Sequence, residues 1–252
     1  MRIFFIFLAS VLAAMPAEAR KFDFGLESFS TYFGGSFGTS KMGDSAYGTS
    51  SGSGTTVDKK IPWTTSGDFG VAISLNRVNI LLGMELLMPR TVSSIEGKNA
   101  SGTLLFKLKS NAQAFVPMVN VEVLAYKAPH SRVLFGAGGG YAFASLENTY
   151  EMTSAGQSAL GIGDHVERGR GTGTLLQAYV AGEFLFTDTV TAVLGGGYRN
   201  LIIQSLQAPQ NGTAITGAQP SGADLKNMDG GHRTMDMGGA FAMLQFRFYL
   251  GK

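Results

Sequence analysis

The feature that most constrains this chain is a strict alternation of short and long connections between segments of two-residue period. Apolar residues recur at every second position in Lys21–Phe33, Gly67–Asn76, Ile80–Met88, Phe115–Tyr126, Arg132–Leu146, Thr174–Phe186, Val190–Ile203 and Ala240–Leu250. That period marks strands with two unlike faces. Within the pairs the connections are short: Arg77 and Val78, then Lys127–Ser131, then Thr187–Thr189. Between the pairs they are long: Gly34–Ser66, Pro89–Ala114, Glu147–Gly173 and Gln204–Gly239. Structureless connections beyond ~15 residues are uncommon in a compact domain, and four on one side of a sheet need a cause. A transmembrane barrel supplies it, with short turns at the periplasmic rim, long loops at the outer rim and an even strand number. The spacing therefore predicts an all-β fold, a closed antiparallel barrel of about eight strands, each near the ~9–11 residues that cross a bilayer at a tilt. The stretch "GTLLFKLKS", Gly102–Ser110, is read as an upward extension of the Phe115 strand, because a ninth strand would make the count odd.

The two faces of each strand then have to be assigned. In Ala240–Leu250 one row is Ala240, Ala242, Leu244, Phe246, Phe248 and Leu250; the other is Phe241, Met243, Gln245, Arg247 and Tyr249. A soluble β-sandwich or a lipocalin-like barrel turns its apolar row inward. A chain in lipid does the reverse and must also close its sheet, since no backbone group can remain unpaired there. Facing the apolar rows outward leaves a luminal polar set of Asp23, Glu27, Glu85, Asn120, Glu122, Gln177, Glu183, Arg199, Gln245 and Arg247. An eight-strand lumen is just wide enough for side chains to fill. The set is read either as the lining of a gated, narrow pore for small or hydrophobic solutes or as a plug of hydrogen-bonded ion pairs. Charges buried in so small a space need partners. For Arg247 the expected partners are Glu85 or Glu122 in the lumen, and Asp23 and Glu27 across the seam between the last strand and the first.

Composition agrees with this class. Glycine occurs 35 times and charged residues make up only 15% of the chain, too much glycine for a helical protein and too little charge for an ordinary soluble surface. A formal net charge of +2 gives no basic footprint for nucleic acid. There is no cysteine, hence no disulfide framework and no thiol nucleophile. Arg2, the apolar run Ile3–Ala14 and Ala17-Glu18-Ala19 read as a secretory signal peptide over residues 1–19, leaving 20–252 as one barrel domain. The glycine runs "GAGGGYA" (136–142) and "GGGY" (195–198) open no helix pattern and lack the Lys-Ser/Thr of a phosphate loop; on strands they permit curvature and close packing. Tyr141, Phe143, Phe186 and Tyr198 fall where an aromatic girdle would meet lipid headgroups. The long connections, such as "GTSSGSGTTVDKK" (48–60), are expected outside the cell, mobile and solvated rather than core-forming.

The run "AFVPMVNVEVLAYKAPHSRVLFGAGGGYAFA", Ala114–Ala144, resembles the central hairpin of the small outer-membrane β-barrel superfamily of OmpA and OmpX type: a proline-led strand, a short turn and a glycine-rich strand ending in Gly-Tyr-Ala. The resemblance implies an integral protein of a Gram-negative outer membrane, surrounded by outer-membrane lipid. It also implies handling by periplasmic chaperones and insertion by the barrel-assembly machinery. One departure concerns the end of the chain, where Tyr249 and Leu250 are followed by Gly251 and Lys252 instead of a terminal aromatic residue.

Some barrels of this size are lipid-modifying enzymes. Here the three histidines are His130 in a short turn, His165 in "GDHVERGR" and His232 in "NMDGGHRTMD"; no strand carries the His-x-Ser pair that resemblance to the barrel deacylase would require. Asp229, His232 and Asp236, or Asp164, His165 and Glu167, match no recognised metal spacing. No catalytic residue, cofactor or metal is assigned, and the expected role is structural or surface-contact.

Overall fold

The computed structural model describes residues 23–24, 28–89 and 91–250. The leader expected over residues 1–19, and Glu27, lie outside the described residues.

Eight strands form a ring: β1 (Phe29–Met42), β2 (Ile61–Leu75), β3 (Val78–Pro89), β4 (Leu104–Ala128), β5 (Ser131–Met152), β6 (His165–Leu185), β7 (Val190–Ile203) and β8 (Gly239–Tyr249). Each pairs antiparallel with its sequence neighbour, and β1 closes on β8 with Tyr32 opposite Arg247 and Gly38 opposite Phe241. The turn Asn76–Arg77 joins β2 to β3, with Asn76 at φ 54°, the left-handed conformation that two-residue hairpins require and asparagine tolerates.

β1 begins eight residues later than its alternation suggests, and this reverses its faces. Ser30, Tyr32 and Ser40 are buried while Phe29, Phe33 and Phe37 are exposed, so even-numbered residues point inward. Asp23 has the opposite parity and lies outside the lumen, exposed at the base, where Lys127 Nζ donates to its Oδ1 at 2.9 Å. A one-residue change of register moves every side chain to the other face; the aromatic residues that had to meet lipid in this strand were those from Phe29 onward.

The long connections are also not what their composition suggests. β4 runs for 25 residues, β5 for 22 and β6 for 21, about twice a bilayer crossing. Gly102–Ser110 does continue into β4, whose first residue is Leu104. The wall thus stands well above the apolar belt. A strand at Val92–Asn99 adds to its edge and Thr55–Val57 pairs in turn with that strand.

β4 shows how the wall changes solvent. Its outward row reads Lys107, Lys109, Asn111, Gln113, then Phe115, Pro117, Val119, Val121 and Val123; its inward row reads Phe106, Leu108, Ser110, Ala112, Ala114, Val116, Met118, then Asn120 and Glu122. Both rows exchange polarity within a few residues. β5 does the same, with Phe135, Tyr141 and Phe143 outward below Ser145, Glu147 and Glu151. Lipid makes the outside apolar, and water above it restores the usual order of an apolar interior under a polar surface.

That upper interior is filled. Residues of the connections, among them Tyr47, Leu206, Ile215, Leu225, Met235 and Met237, form one buried cluster with Met42, Ile61, Leu87, Phe106, Leu175 and Ile203 of the wall. The loops expected to be solvated therefore supply a core. Their apolar residues are spaced too irregularly to signal this, but the strands present them with an apolar lining that water would otherwise have to wet.

Candidate functional site: the luminal polar network

Of the ten residues in the proposed luminal set, Glu85, Asn120, Glu122, Glu183, Arg199, Gln245 and Arg247 are buried inside the ring, and Gln177 is half-buried there. Asp23 lies outside it, and Glu27 is not described.

Arg247 is the centre. Its guanidinium binds Glu122 through two nitrogens, at 2.6 and 2.9 Å, reaches Glu183 at 3.2 Å and donates through Nε to Gln245 at 3.1 Å. Both carboxylates and the arginine are 0% exposed. Of the partners across the seam proposed from sequence, Glu27 lies outside the described residues and Asp23 pairs with Lys127 at the base; the inward row of β1 beside Arg247 carries Tyr32 and, among the described residues, no acid. Glu122 on β4 and Glu183 on β6 reach it across the bore instead.

Each carboxylate is held by further donors. Glu122 accepts from Asn79 Nδ2 at 3.0 Å and from the Tyr179 hydroxyl at 2.9 Å. Glu183 accepts from Arg132 Nε at 2.7 Å, from Thr191 at 2.5 Å and from Tyr249 at 2.6 Å. Arg132 also donates to the Tyr249 hydroxyl at 2.7 Å and lies over the Phe24 ring, 4.6 Å from its centroid. Nearer the outer side, Arg199 donates to Glu85 at 2.7 Å and to Ser36 at 2.5 Å, with its guanidinium 4.5 Å above the Phe241 ring. Gln177 donates to Asn120 at 2.9 Å, and Gln245 to Asp68 at 2.9 Å.

Sequence reasoning missed Arg132, Asp68, Asn79, Tyr179 and Thr191. Parity held the signal in two cases: Asp68 shares a row with Gly70 and Ala72, and Arg132 with Leu134 and Gly136, both inward. Arg132 was hidden by its place beside a short turn. The glycines opposite bulky inward residues are required rather than merely permitted. A side chain at Gly136 would run into the Tyr179 ring, and one at Gly138 into Asn120 and the Val119 carbonyl.

A further buried ion pair sits above the membrane. Arg233, from the last connection, is fully buried and forks onto Glu167 of β6; its Nη2 also donates to the Lys226 carbonyl at 2.9 Å. Glu167 is thus a structural partner, separated in role from its neighbours Asp164, which accepts from the Met152 amide at 2.7 Å, and His165, whose ring stacks on Tyr150 at 4.7 Å. Asp229 accepts from Ser50 at 2.5 Å, Asp236 from the Gly238 amide at 2.9 Å, and His232 stands 3.5 Å from Asp224. Neither acid–histidine group converges on a common point. The Ser50 hydroxyl and the Gly231 amide hold the Asp229 carboxyl below its ordinary range.

The aromatic residues expected at the membrane boundaries are exposed on the outer wall. Tyr141 and Phe143 meet edge to face at 5.2 Å where the β5 outward row turns polar, and Phe186, beside a short turn, contacts Phe246 at 6.3 Å. Tyr198 is likewise exposed. On the wall as well, Phe37 stacks on Trp63 at 5.0 Å. A closed antiparallel ring with a lipid-facing apolar belt, a polar bore and long outer walls is the architecture of an outer-membrane β-barrel.

No family model matches the chain, and no curated relative does. Among solved structures it is similar to the outer membrane protein OprG from Pseudomonas aeruginosa, with 11% identity over 90% of this chain and 98% of that one and a TM-score of 0.43. It is similar also to Neisserial surface protein A, with 9% identity over 88% and 97% and a TM-score of 0.40. A third similar structure is the outer membrane protease OmpT from Escherichia coli, with 9% identity over 89% and 94% and a TM-score of 0.37. At these values the architecture stands on the strand register described above, and the resemblances are of fold.

Proposed function

We propose that this protein is a closed, non-conducting barrel of the outer membrane whose working surface is the wall and loop assembly above the lipid, in a structural or surface-contact role. The observation that carries the reading is the outer half of the bore, filled by loop residues packed on the inward apolar rows. Below it the arginine–carboxylate network crosses the bore. Between the two lies a cavity of about 30 Å³, room for about one water. A permeant solute would have to part a dry core and break the buried arginine–glutamate pairs in succession, each costly.

The reading is of a protein without catalysis. Its histidines support this: His165 is held against Tyr150 with Nδ1 2.9 Å from the Gly163 carbonyl, His232 lies exposed beside Lys226, and His130 is an exposed turn residue. Lipid surrounds the belt, and assembly proceeds through periplasmic chaperones and the barrel-assembly machinery. Planar-bilayer recording of the folded chain tests the closure. No stable conductance is expected; long-lived openings in the unmodified protein would overturn the closed reading in favour of a narrow channel.

A further inference from the structure

The fixed charges of the described lumen do not balance. Arg132, Arg199 and Arg247 oppose Asp68, Glu85, Glu122 and Glu183, an excess of one negative charge. The three arginines are engaged by the three glutamates, which leaves Asp68, among the described residues, with only the neutral Gln245 amide as its hydrogen-bond donor.

The excess is localised. Asp68 and Glu85 are direct cross-strand partners on β2 and β3, an arrangement that places like charges ~5 Å apart and is destabilising when nothing intervenes. Glu85 gives one oxygen to Arg199, while its Oε2 has no partner among the described residues although the residue is 4% exposed. The hydroxyl of Tyr32, 3% exposed, has none either. Tyr32, Asp68 and Glu85 line the same cavity of about 30 Å³, with Ser36, Asn120 and Gln245 supplying further oxygens. Gly34 stands opposite both Asp68 and Gln245 in the register, and β1 reaches the cavity through Tyr32 and Ser36 on either side of it.

We propose that this cavity binds one small monovalent cation, of sodium's size and preference for oxygen, held between Asp68 and Glu85 with the Tyr32 hydroxyl in its shell. The charge excess is one, so a divalent ion would only reverse the imbalance in a space where unpaired charge is expensive. The volume admits one water-sized species. A proton on Asp68 would settle the charge but leave the space, Glu85 Oε2 and the Tyr32 hydroxyl unsatisfied; a proton together with a water is the competing occupant.

The test uses the full folded chain in zwitterionic detergent near neutral pH. The temperature at which the folded, faster-migrating gel band is lost is read in sodium, potassium or choline chloride at constant ionic strength. Sodium is expected to raise that temperature saturably over choline, with loss of the sodium dependence in Asp68→Asn. Tyr32→Phe, which keeps both carboxylates, is expected to fold and to shift the saturating sodium concentration upward, and it serves as the variant of record if Asp68→Asn does not fold. Equal temperatures in sodium and choline for the unmodified protein would overturn the proposal in favour of a proton and a water. A sodium effect that persists unchanged in either folded variant would overturn it as well, by placing the ion elsewhere.

Discussion

Replacing Arg247 tests the network at its centre. Arg247→Met keeps most of the length of the side chain and removes the guanidinium. Four hydrogen bonds disappear: two to Glu122, one to Glu183 and one to Gln245. The two carboxylates are affected unequally. Glu183 retains Arg132, Thr191 and Tyr249, and so stays neutralised. Glu122 retains only the neutral donors Asn79 and Tyr179; it becomes a buried anion without a cation. Stranding one member of a buried pair costs about 3–5 kcal/mol, and the complete burial of both groups places this site toward the upper part of that range. Urea unfolding of the barrel in detergent, followed by the shift between folded and unfolded gel bands, measures it. Glu122→Gln in the same molecule removes the stranded charge while its oxygen accepts from Asn79 and its amide N–H donates to the Tyr179 hydroxyl, so the double variant is expected to recover more than half of the loss. A loss below about 1 kcal/mol for Arg247→Met, a range typical of exposed pairs, would refute the reasoning. So would a double variant whose loss equals the sum of the two single ones, since contacting charges must couple.

Three further outcomes follow from the packing. Gly138→Ala pushes a methyl group into the Asn120 amide and the Val119 carbonyl and is expected to cost about 1–3 kcal/mol, whereas Gly67→Ala, which meets nothing within 4 Å, is expected to be near neutral in the same urea titration; equal effects would contradict the inward assignment of the glycine row. Ile215→Ala is expected to cost about 2–5 kcal/mol as a core truncation, while Tyr47→Phe, which removes a buried hydroxyl without a partner among the described residues, is expected to leave stability unchanged or higher; a neutral Ile215→Ala would mean that the outer core is not packed. Protease added to intact cells is expected to cut at the exposed tips, residues 100–103 and 220–222, and to spare residues 46–49, which are buried; cleavage at the buried stretch would refute the loop core.

The ring, its strand number and most of its faces were legible because lipid imposes a period-two pattern that few other environments produce. β8 shows it best: all of its rows fall as the alternation predicts, down to Tyr249 inward. The first strand was misread because Phe22, Phe24 and Leu26 continue an apolar row of the wrong parity before Phe29 takes over, and period alone cannot say where a register begins. For Arg247, Glu122 was anticipated, but Glu183 was missed, and Asp23 was offered across the seam, for a different reason. Proximity along the seam is a property of neighbouring strands, but a bore this narrow lets a long side chain reach the far wall, and Glu122 and Glu183 sit on β4 and β6. Which carboxylate an arginine reaches depends on tilt and shear, which no single strand encodes.

Apart from Gly102–Ser110, read as an extension of the Phe115 strand, the upper wall was illegible for a reason that the exchange of faces makes plain. A strand leaving lipid first gains an apolar inward row, on β4 from Met118 upward, and within a few residues loses its outward one, above Phe115, so the alternation persists while its phase inverts. In β4 the outward Lys107, Lys109, Asn111 and Gln113 do not continue the lipid-facing row. Taken with the inward Phe106, Leu108, Ala112 and Ala114, the same residues form an ordinary amphipathic strand of a water-exposed barrel. The inversion also fixes the height of the membrane on the protein, between Gln113 and Phe115 on β4 and between Phe143 and Ser145 on β5, and these two positions are neighbours in the register, Phe115 lying opposite Phe143. Two independent strands thus place the lipid boundary at one level, and everything above it obeys the rules of a soluble protein. That is why its loops form a core there rather than remaining solvated.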